Sequence, residues 1–306
     1  MRSIVKISIL LIAGVLHTLL SADIMGGETV GVIGNYKSRI FLSRSSLQQR
    51  ERSISSMLWL NSARLKGWYR PSDQHFFEAD YEVVMSYYRL QELVSSDLIA
   101  LPAFKYRYKD FKSRVGEHTL SPNHLARVEH NLDRFFYTWS KEQFDLAIGR
   151  QPVSLGSARL VNPTDVFVPY SLTATDKEDR AGVDAARLKL PVGEMGEVDF
   201  GYLLGKNGKL DQSAAFLKVL QPFGNWEFAP VVVRFRKHKL LGIDIQGQIM
   251  GAGAWFESAY VDPEVGNGYA RLSLGSDYNF GDNLYGFIEY HFNGAGTRAA
   301  AEYLSN

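Results

Sequence analysis

Alternation of apolar residues with polar or small ones runs through most of this chain and constrains its fold more than any other feature. In FDLAIGRQ, residues 144–151, Phe144, Leu146 and Ile148 occupy every second position. The same period of two recurs in FFEADYEVVM, GEVDFGYLL, LGIDIQGQIM and YARLSLGSDYNF. A period of two places successive side chains on opposite faces of a β-strand, whereas a helix repeats every 3.6 residues. The chain is therefore predicted to be all-β, with one apolar and one charged face.

The connections between these segments alternate between short and long. Short ones, rich in the Gly, Pro, Asp and Asn that tight turns require, lie at 71–73, 140–143, 192–196, 221–225 and 280–283. Two other connections, 89–123 and 152–180, are far longer. Short turns on one side and long loops on the other are typical of an outer-membrane barrel. The sequence thus predicts a transmembrane antiparallel β-barrel.

The pattern predicts twelve or thirteen strands, as part of a barrel of 14–16 strands, because single-chain bacterial barrels close with an even number. The final residues, NGAGTRAAAEYLSN, read as a loop rather than as a closing strand. We therefore expect the barrel to be incomplete at the C-terminus. The thirteen predicted strands are 29–42, 57–70, 75–88, 125–139, 143–151, 181–190, 195–204, 212–220, 226–236, 239–251, 253–261, 268–279 and 283–292.

The N-terminus has the composition of a secretory signal peptide. Arg2 and Lys6 precede the apolar run ISILLIAGVLHTLL, which ends in Ser21 and Ala22 before a polar residue. Residues 1–22 are predicted to be the signal peptide, and residues 23–306 the exported barrel of the outer membrane. No later segment is apolar for long enough to predict a membrane-spanning helix.

Composition narrows the function classes. The formal net charge of +1 gives no reason to expect a nucleic-acid partner. The absence of cysteine excludes disulfides, thiolate catalysis and cysteine-ligated zinc. We expect no cofactor and no metal. The predicted partners are outer-membrane lipid, lipopolysaccharide and a small-molecule solute, and a homo-oligomer is left open.

In a barrel the charged face would line the pore. The turn at Ser72 and Asp73 predicts a register that places Lys66 near Asp80 and Arg64 near Glu82, either as a ladder of satisfied pairs or as a transverse field along the wall. Both charge signs are abundant, so the charge of the solute does not follow from a count. The candidate pore-wall residues are Arg64, Lys66, Glu78, Asp80, Glu82, Arg134, Asp145, Arg234, Arg236 and Arg271.

One segment resembles a known family. The run DRFFYTWSKEQFDLAIGRQPVSLGSARLVNPTDVF, residues 133–167, resembles the strand–turn–strand–loop segment of Gram-negative outer-membrane porins of the alginate-export-like and related uncharacterised groups. In those proteins an IGRQ-type strand end leads to a G-x-x-R segment and an NPTD-type loop. The resemblance implies passive diffusion of small solutes or ions, with loop 152–180 folded inward to narrow the pore. It also implies Arg150, Arg159 and Asp165 as candidate constriction residues.

Two alternatives to a channel remain at this level. An outer-membrane lipase or protease would need a nucleophile, a base and an orienting group together in space. His291 and Asn293 could form a fragment of such a site, but no G-x-S-x-G motif is present. The second alternative is a soluble exported β-sandwich that binds a ligand and buries the apolar face in its core. The sequence favours a channel that is not an enzyme.

Overall fold

The structure is a computed structural model, and it describes residues 14–25, 27–47, 52–90, 106–109, 113–121, 124–168, 180–281 and 284–295. Residues 1–13 of the predicted signal peptide and residues 169–179 of the predicted inward loop lie outside this set. Residues 14–22 of the predicted signal peptide belong to the first strand, which pairs with the second. The signal peptide itself stays a prediction.

The described residues are all-β and antiparallel, as predicted, with only two single-turn 3-10 helices, Lys206–Gly208 and Leu210–Gln212. All thirteen predicted strands are present. Two further strands, Gly14–Met25 and Ser113–Ser121, were not predicted. The strands are β1 Gly14–Met25, β2 Val30–Leu47, β3 Arg52–Ser72, β4 His75–Leu90, β5 Ser113–Ser121, β6 His124–Lys141, β7 Phe144–Gln151, β8 Val183–Val192, β9 Gly196–Leu203, β10 Ala214–Phe223, β11 Trp226–Phe235, β12 His238–Ile249, β13 Ala252–Asp262, β14 Tyr269–Asn279 and β15 Tyr285–Asn293.

The chain divides into two compact units, and the division falls within β6. In the first unit, Met1–Ala103 and Asp110–Phe135, the strand order is β1-β2-β3-β4-β6, and β5 also pairs with β6. The second unit is Phe104–Lys109 and Phe136–Asn306, in which the end of β6 and β7 to β15 pair in sequence order. Consecutive described strands thus pair as in a meander of hairpins, except that β4 pairs with β6 and not with β5.

Tight turns set these registers. β12 and β13 are joined by only Met250 and Gly251, whose φ angles are +51° and +83°. A two-residue hairpin with positive φ at both positions has the twist that matches its strands, and glycine adopts that conformation without strain.

The two faces of the second unit's sheet differ in an unexpected way for a protein core. Phe200, Leu217, Leu241 and Leu274 are exposed on one face. The opposite face carries charged residues that are buried, including Glu257, which is fully inaccessible. Soluble sheets expose the polar face and cover the apolar one. In this unit the covered face is the charged one.

Candidate functional site

The charged face of the second unit is covered by residues 152–168, which follow β7 and are called the long loop below. The Lys218 ammonium donates to the Leu155 carbonyl at 2.8 Å. The Ser157 hydroxyl donates to the Asp244 carboxylate at 2.5 Å. These contacts place the loop across strands β10 and β12, on the side away from the exposed apolar rows.

Apolar side chains anchor both ends of the long loop. Val153 and Leu155 at its start and Phe167 near its end are buried in one cluster with inward residues of β8 to β14. The Phe167 ring lies 5.7 Å from the Phe216 ring and meets the Tyr106 ring edge-on at 5.6 Å. Burial raises the pKa of Tyr106 to about 12, against an opposing effect of nearby positive charge. Both ends of the long loop are therefore fixed by apolar packing.

The middle of the loop is held by two carboxylates from the strands. Glu257 on β13 accepts the Ala158 N–H through Oε2 at 3.1 Å. Its Oε1 accepts both the N–H and the hydroxyl of Thr164, at 2.8 and 2.6 Å. Hydrogen bonds to an ionised acceptor are stronger than neutral ones and compensate the cost of burying the charge.

The second carboxylate, Glu289 on β15, serves three consecutive backbone N–H groups. Its Oε2 accepts the N–H of Arg159 at 2.6 Å, and its Oε1 accepts those of Leu160 and Val161, both at 3.1 Å. The indole of Trp255 also donates to Oε2, at 2.9 Å. Irregular backbone has no strand partner for these donors, so the Glu289 carboxylate supplies the acceptors.

Close packing fits the loop to Glu257. A Cβ built on Gly156 would lie 2.1 Å from a carboxylate oxygen of Glu257, closer than any real contact. Only glycine leaves room for the carboxylate at this position.

Arg159 is the predicted constriction residue that remains accessible. Its side chain is 47% exposed, and its guanidinium pairs with Asp277 at 2.9 Å. The guanidinium carbon also lies 5.2 Å above the Trp255 ring. The Tyr285 hydroxyl donates to the same Asp277 oxygen at 2.9 Å. The structure thus presents one fixed, half-exposed positive charge on the loop.

Asp165 lies in the same loop but is not accessible. Its side chain is fully buried and forms an ion pair with Arg180. One carboxylate oxygen accepts the Phe167 N–H at 3.3 Å. Burial lowers the pKa of Arg180 to about 10, and the Glu257 charge opposes this shift. Asp165 therefore fixes the loop rather than facing open space.

Arg150 is not brought together with the other two candidates. It pairs across the strands with Asp184, through Nε at 2.8 Å and Nη2 at 3.1 Å. Nη2 also donates to the Lys109 carbonyl at 2.7 Å, and the Tyr108 N–H donates to Asp184 at 2.7 Å. Arg150 thus joins β7 and β8 to the segment 106–109. It lies near the end of β7, and its parity is that of Ile148 on the apolar face.

The charged face of the first unit is a network of ion pairs. The predicted register is confirmed, because Arg64 lies opposite Glu82 and Lys66 opposite Asp80. Arg64 reaches Glu82 at 3.4 Å, whereas Lys66 turns to Glu78 at 3.1 Å. These contacts form a ladder of ion pairs between β3 and β4.

Strand β6 contributes two neighbouring residues to this network. Arg64 reaches Asp133 at 3.1 Å, and Arg134 reaches Glu78 at 3.3 Å. Both Asp133 and Arg134 are buried, while Phe135 is exposed. Successive residues of a regular strand face opposite sides, so the alternation shifts by one residue here, as at a β-bulge.

The remaining predicted wall residues divide between locations. Asp145, opposite Lys189, and Arg271, opposite Ala259, lie on the charged face of the second unit. Arg234 instead shares the face of exposed Val232, because inward Val231 and Val233 set the parity of β11. Arg236 lies in the turn between β11 and β12, with a φ of +55°.

A serine–histidine contact exists but lacks the features of a catalytic site. Ser273 Oγ lies 2.8 Å from His291 Nδ1. The serine is fully buried, and its hydroxyl donates to the Val161 carbonyl of the long loop at 2.7 Å. A nucleophile needs access to substrate and a hydroxyl proton directed at the base. This hydroxyl is used to hold the loop instead. Within the described ranges, no group of His, Asp and Glu is arranged to hold a metal ion.

Sequence reasoning missed Glu257. It lies between Trp255 and Ala259 in AWFESAY, whose alternation was visible, but nothing in the sequence marks it as a partner of a loop about a hundred residues earlier. No family model matches the chain, and no curated protein is significantly similar to it. In the parts of the chain that the structure describes, no helix is long and apolar enough to cross a membrane.

Proposed function

We propose that this protein is a porin-like channel of a Gram-negative outer membrane, through which small solutes or ions diffuse passively. The observation that carries the proposal is the inverted exposure of the second unit's sheet. A row of large apolar side chains is exposed, and buried charges lie on the other face. Contiguous exposed apolar surface marks contact with a membrane or partner, and lipid fits a face built from strands that alternate in this way.

The covering of the charged face favours a channel over a soluble sandwich. A sandwich buries the apolar faces of two sheets against each other. Here the long loop covers the charged face through Glu257 and Glu289, while Leu241 and Leu274 remain exposed. An inward loop on a polar wall is what a narrowed pore requires. Among the described strands, β1 and β15 each have one neighbour, so closure of the barrel is part of the proposal.

The resemblance of residues 133–167 to alginate-export-like porins supports the same function. The segment covers the end of β6, the turn, β7 and the long loop. In the proposed channel, Arg159 lies at the narrowed part and Asp165 supports the loop from behind. Outer-membrane lipid and lipopolysaccharide would contact the apolar face. The buried Ser273 gives no support to the enzyme alternative.

The test uses the full-length protein expressed in a Gram-negative host. We expect it in the outer-membrane fraction, with an electrophoretic mobility that changes on heating. In planar bilayers bathed in KCl, the purified protein should give ohmic conductance steps. Recovery from the soluble periplasmic fraction would contradict the proposal. So would bilayer currents no larger than those of a detergent control.

A further inference from the structure

We infer that Glu257 and Glu289 are positioning residues of the constriction. They hold the middle of the long loop against the wall, and so set the aperture, although both lie behind the loop. This inference rests on the proposed function and adds to it the residues that determine pore size. Arg159 and Asp165 are the predicted constriction residues, whereas Glu257 and Glu289 keep the middle of the loop in place.

The two carboxylates hold a stretch that apolar packing does not. The ends of the loop are fixed by the buried side chains of Val153, Leu155 and Phe167. Between them, the backbone N–H groups of residues 158–161 and 164 all donate to Glu257 or Glu289. Arg159 and Leu160 in this stretch have exposed side chains. The two glutamates therefore take the backbone N–H donors of this stretch, while Ser273 donates to the Val161 carbonyl and Asp277 pairs with the Arg159 side chain.

All four carboxylate oxygens are in use, which makes glutamine an informative replacement. Glu257 accepts through both oxygens from Ala158 and Thr164. Glu289 accepts through both oxygens from the N–H groups of Arg159 and Leu160. A glutamine amide offers one oxygen and one NH₂ group, so one set of N–H donors must face another donor whichever way the amide turns. The change keeps shape and size while it releases the loop.

Glu227 provides a matched control. It lies on the same face, on β11 opposite Gln246, and accepts from that amide at 2.6 Å. None of the hydrogen bonds of the long loop described above reaches it. Glu227→Gln removes one negative charge from the wall without touching the loop.

The experiment combines amide exchange with pore sizing on the full-length protein in lipid. In Glu257→Gln/Glu289→Gln, deuterium uptake by a peptide spanning residues 157–164 should become roughly tenfold faster or more. Conductance should rise, and larger poly(ethylene glycol) probes should enter the pore. Glu227→Gln should leave the exchange rate and the polymer cut-off at wild-type values.

A reversible cross-link separates positioning from general damage. The chain has no cysteine, so Ser157→Cys with Asp244→Cys introduces a single possible disulfide between two positions whose side chains are now hydrogen-bonded. Oxidation of this pair in the double glutamine variant should restore the wild-type cut-off, and reduction should remove it again. If the double variant fails to fold, the single change Glu289→Gln and the same cross-link make the comparison.

The outcomes divide cleanly. Unchanged exchange in the glutamine variants would overturn the inference. Faster exchange with an unchanged polymer cut-off would also overturn it, because the carboxylates would then fasten the loop without setting the aperture. A wild-type protein that conducts no current would instead defeat the proposed function, whatever the exchange data show.

Discussion

Replacing Leu274 by arginine tests whether the exposed apolar face contacts lipid. Leu274 is the sixth of eleven residues in β14 and is 55% exposed, between Phe256 on β13 and Tyr290 on β15, which are also exposed. Eleven residues span about 37 Å along a strand, or about 26 Å across a membrane at a tilt of ~45°. That matches the ~25 Å apolar band of an outer-membrane barrel, and in the proposed barrel it would place Leu274 at the midplane.

The expected cost follows from that depth. Arginine at the midplane should lower the free energy of unfolding by about 2–4 kcal/mol. Ile249→Arg is the matched control, because Ile249 is 51% exposed on the same face but ends β12 at the short-turn side. Near the interface the cost falls to ~0–1 kcal/mol. In water, both substitutions would stay within about 0.5 kcal/mol of wild type.

Denaturant unfolding of the protein in phospholipid vesicles, followed by tryptophan fluorescence, gives the comparison. Equal and small effects of Leu274→Arg and Ile249→Arg would refute the membrane assignment of this face. A large loss from both would place the membrane boundary elsewhere, because a strand end would then lie as deep as a strand centre.

Further predictions concern the long loop. Arg159→Gln should move the zero-current potential in a KCl gradient toward cation selectivity, because the Arg159 charge is accessible. Asp165→Asn should leave ion selectivity unchanged, because Asp165 is buried, and should lower the denaturant concentration at the midpoint of unfolding. If the wild-type protein is cation-selective and Arg159→Gln has the same zero-current potential, the prediction for Arg159 is wrong. Gly156→Ala should displace Glu257 and speed amide exchange in the loop, while Gly67→Ala, whose added Cβ meets nothing closer than 3.9 Å, should not. Equal exchange in both variants would show that the loop adjusts without cost.

The period of two in the sequence was enough to predict thirteen of the fifteen described strands, because each of them carries its own alternation. The same local information fixed the hairpin register around Ser72 and Asp73. It did not reveal the shift of alternation in β6, where Asp133 faces inward together with Arg134, which had been predicted for the charged face. The prediction for Arg234 was also wrong. We assigned Arg234 to the charged face because of its charge, although the parity of its neighbours Val231 and Val233 places it on the opposite face. A single residue of shift exchanges the two faces of a strand.

The candidate site depended on contacts that no local pattern encodes. Arg150, Arg159 and Asp165 lie close together in sequence, yet one ties two strand ends, one is exposed and one is buried. Whether such a residue ties strands together, is exposed or is buried depends on where the long loop lies on the sheet. That position depends in turn on Glu257 and Glu289, about a hundred residues away or more.

The use of wall charges as hydrogen-bond acceptors changes how the charged face should be interpreted. Asp244, Glu257 and Glu289 lie on the strands as a pore wall would place them, yet each accepts hydrogen bonds from the long loop. An irregular segment that crosses a sheet face brings N–H groups with no ladder of their own, and each must find an acceptor. Carboxylates that serve this purpose are covered by the loop and lie away from the open space. In the proposed channel, the field that a solute meets would then be set by the few charges that stay accessible, Arg159 and Asp145 among them, and not by the sum of charges along the strands.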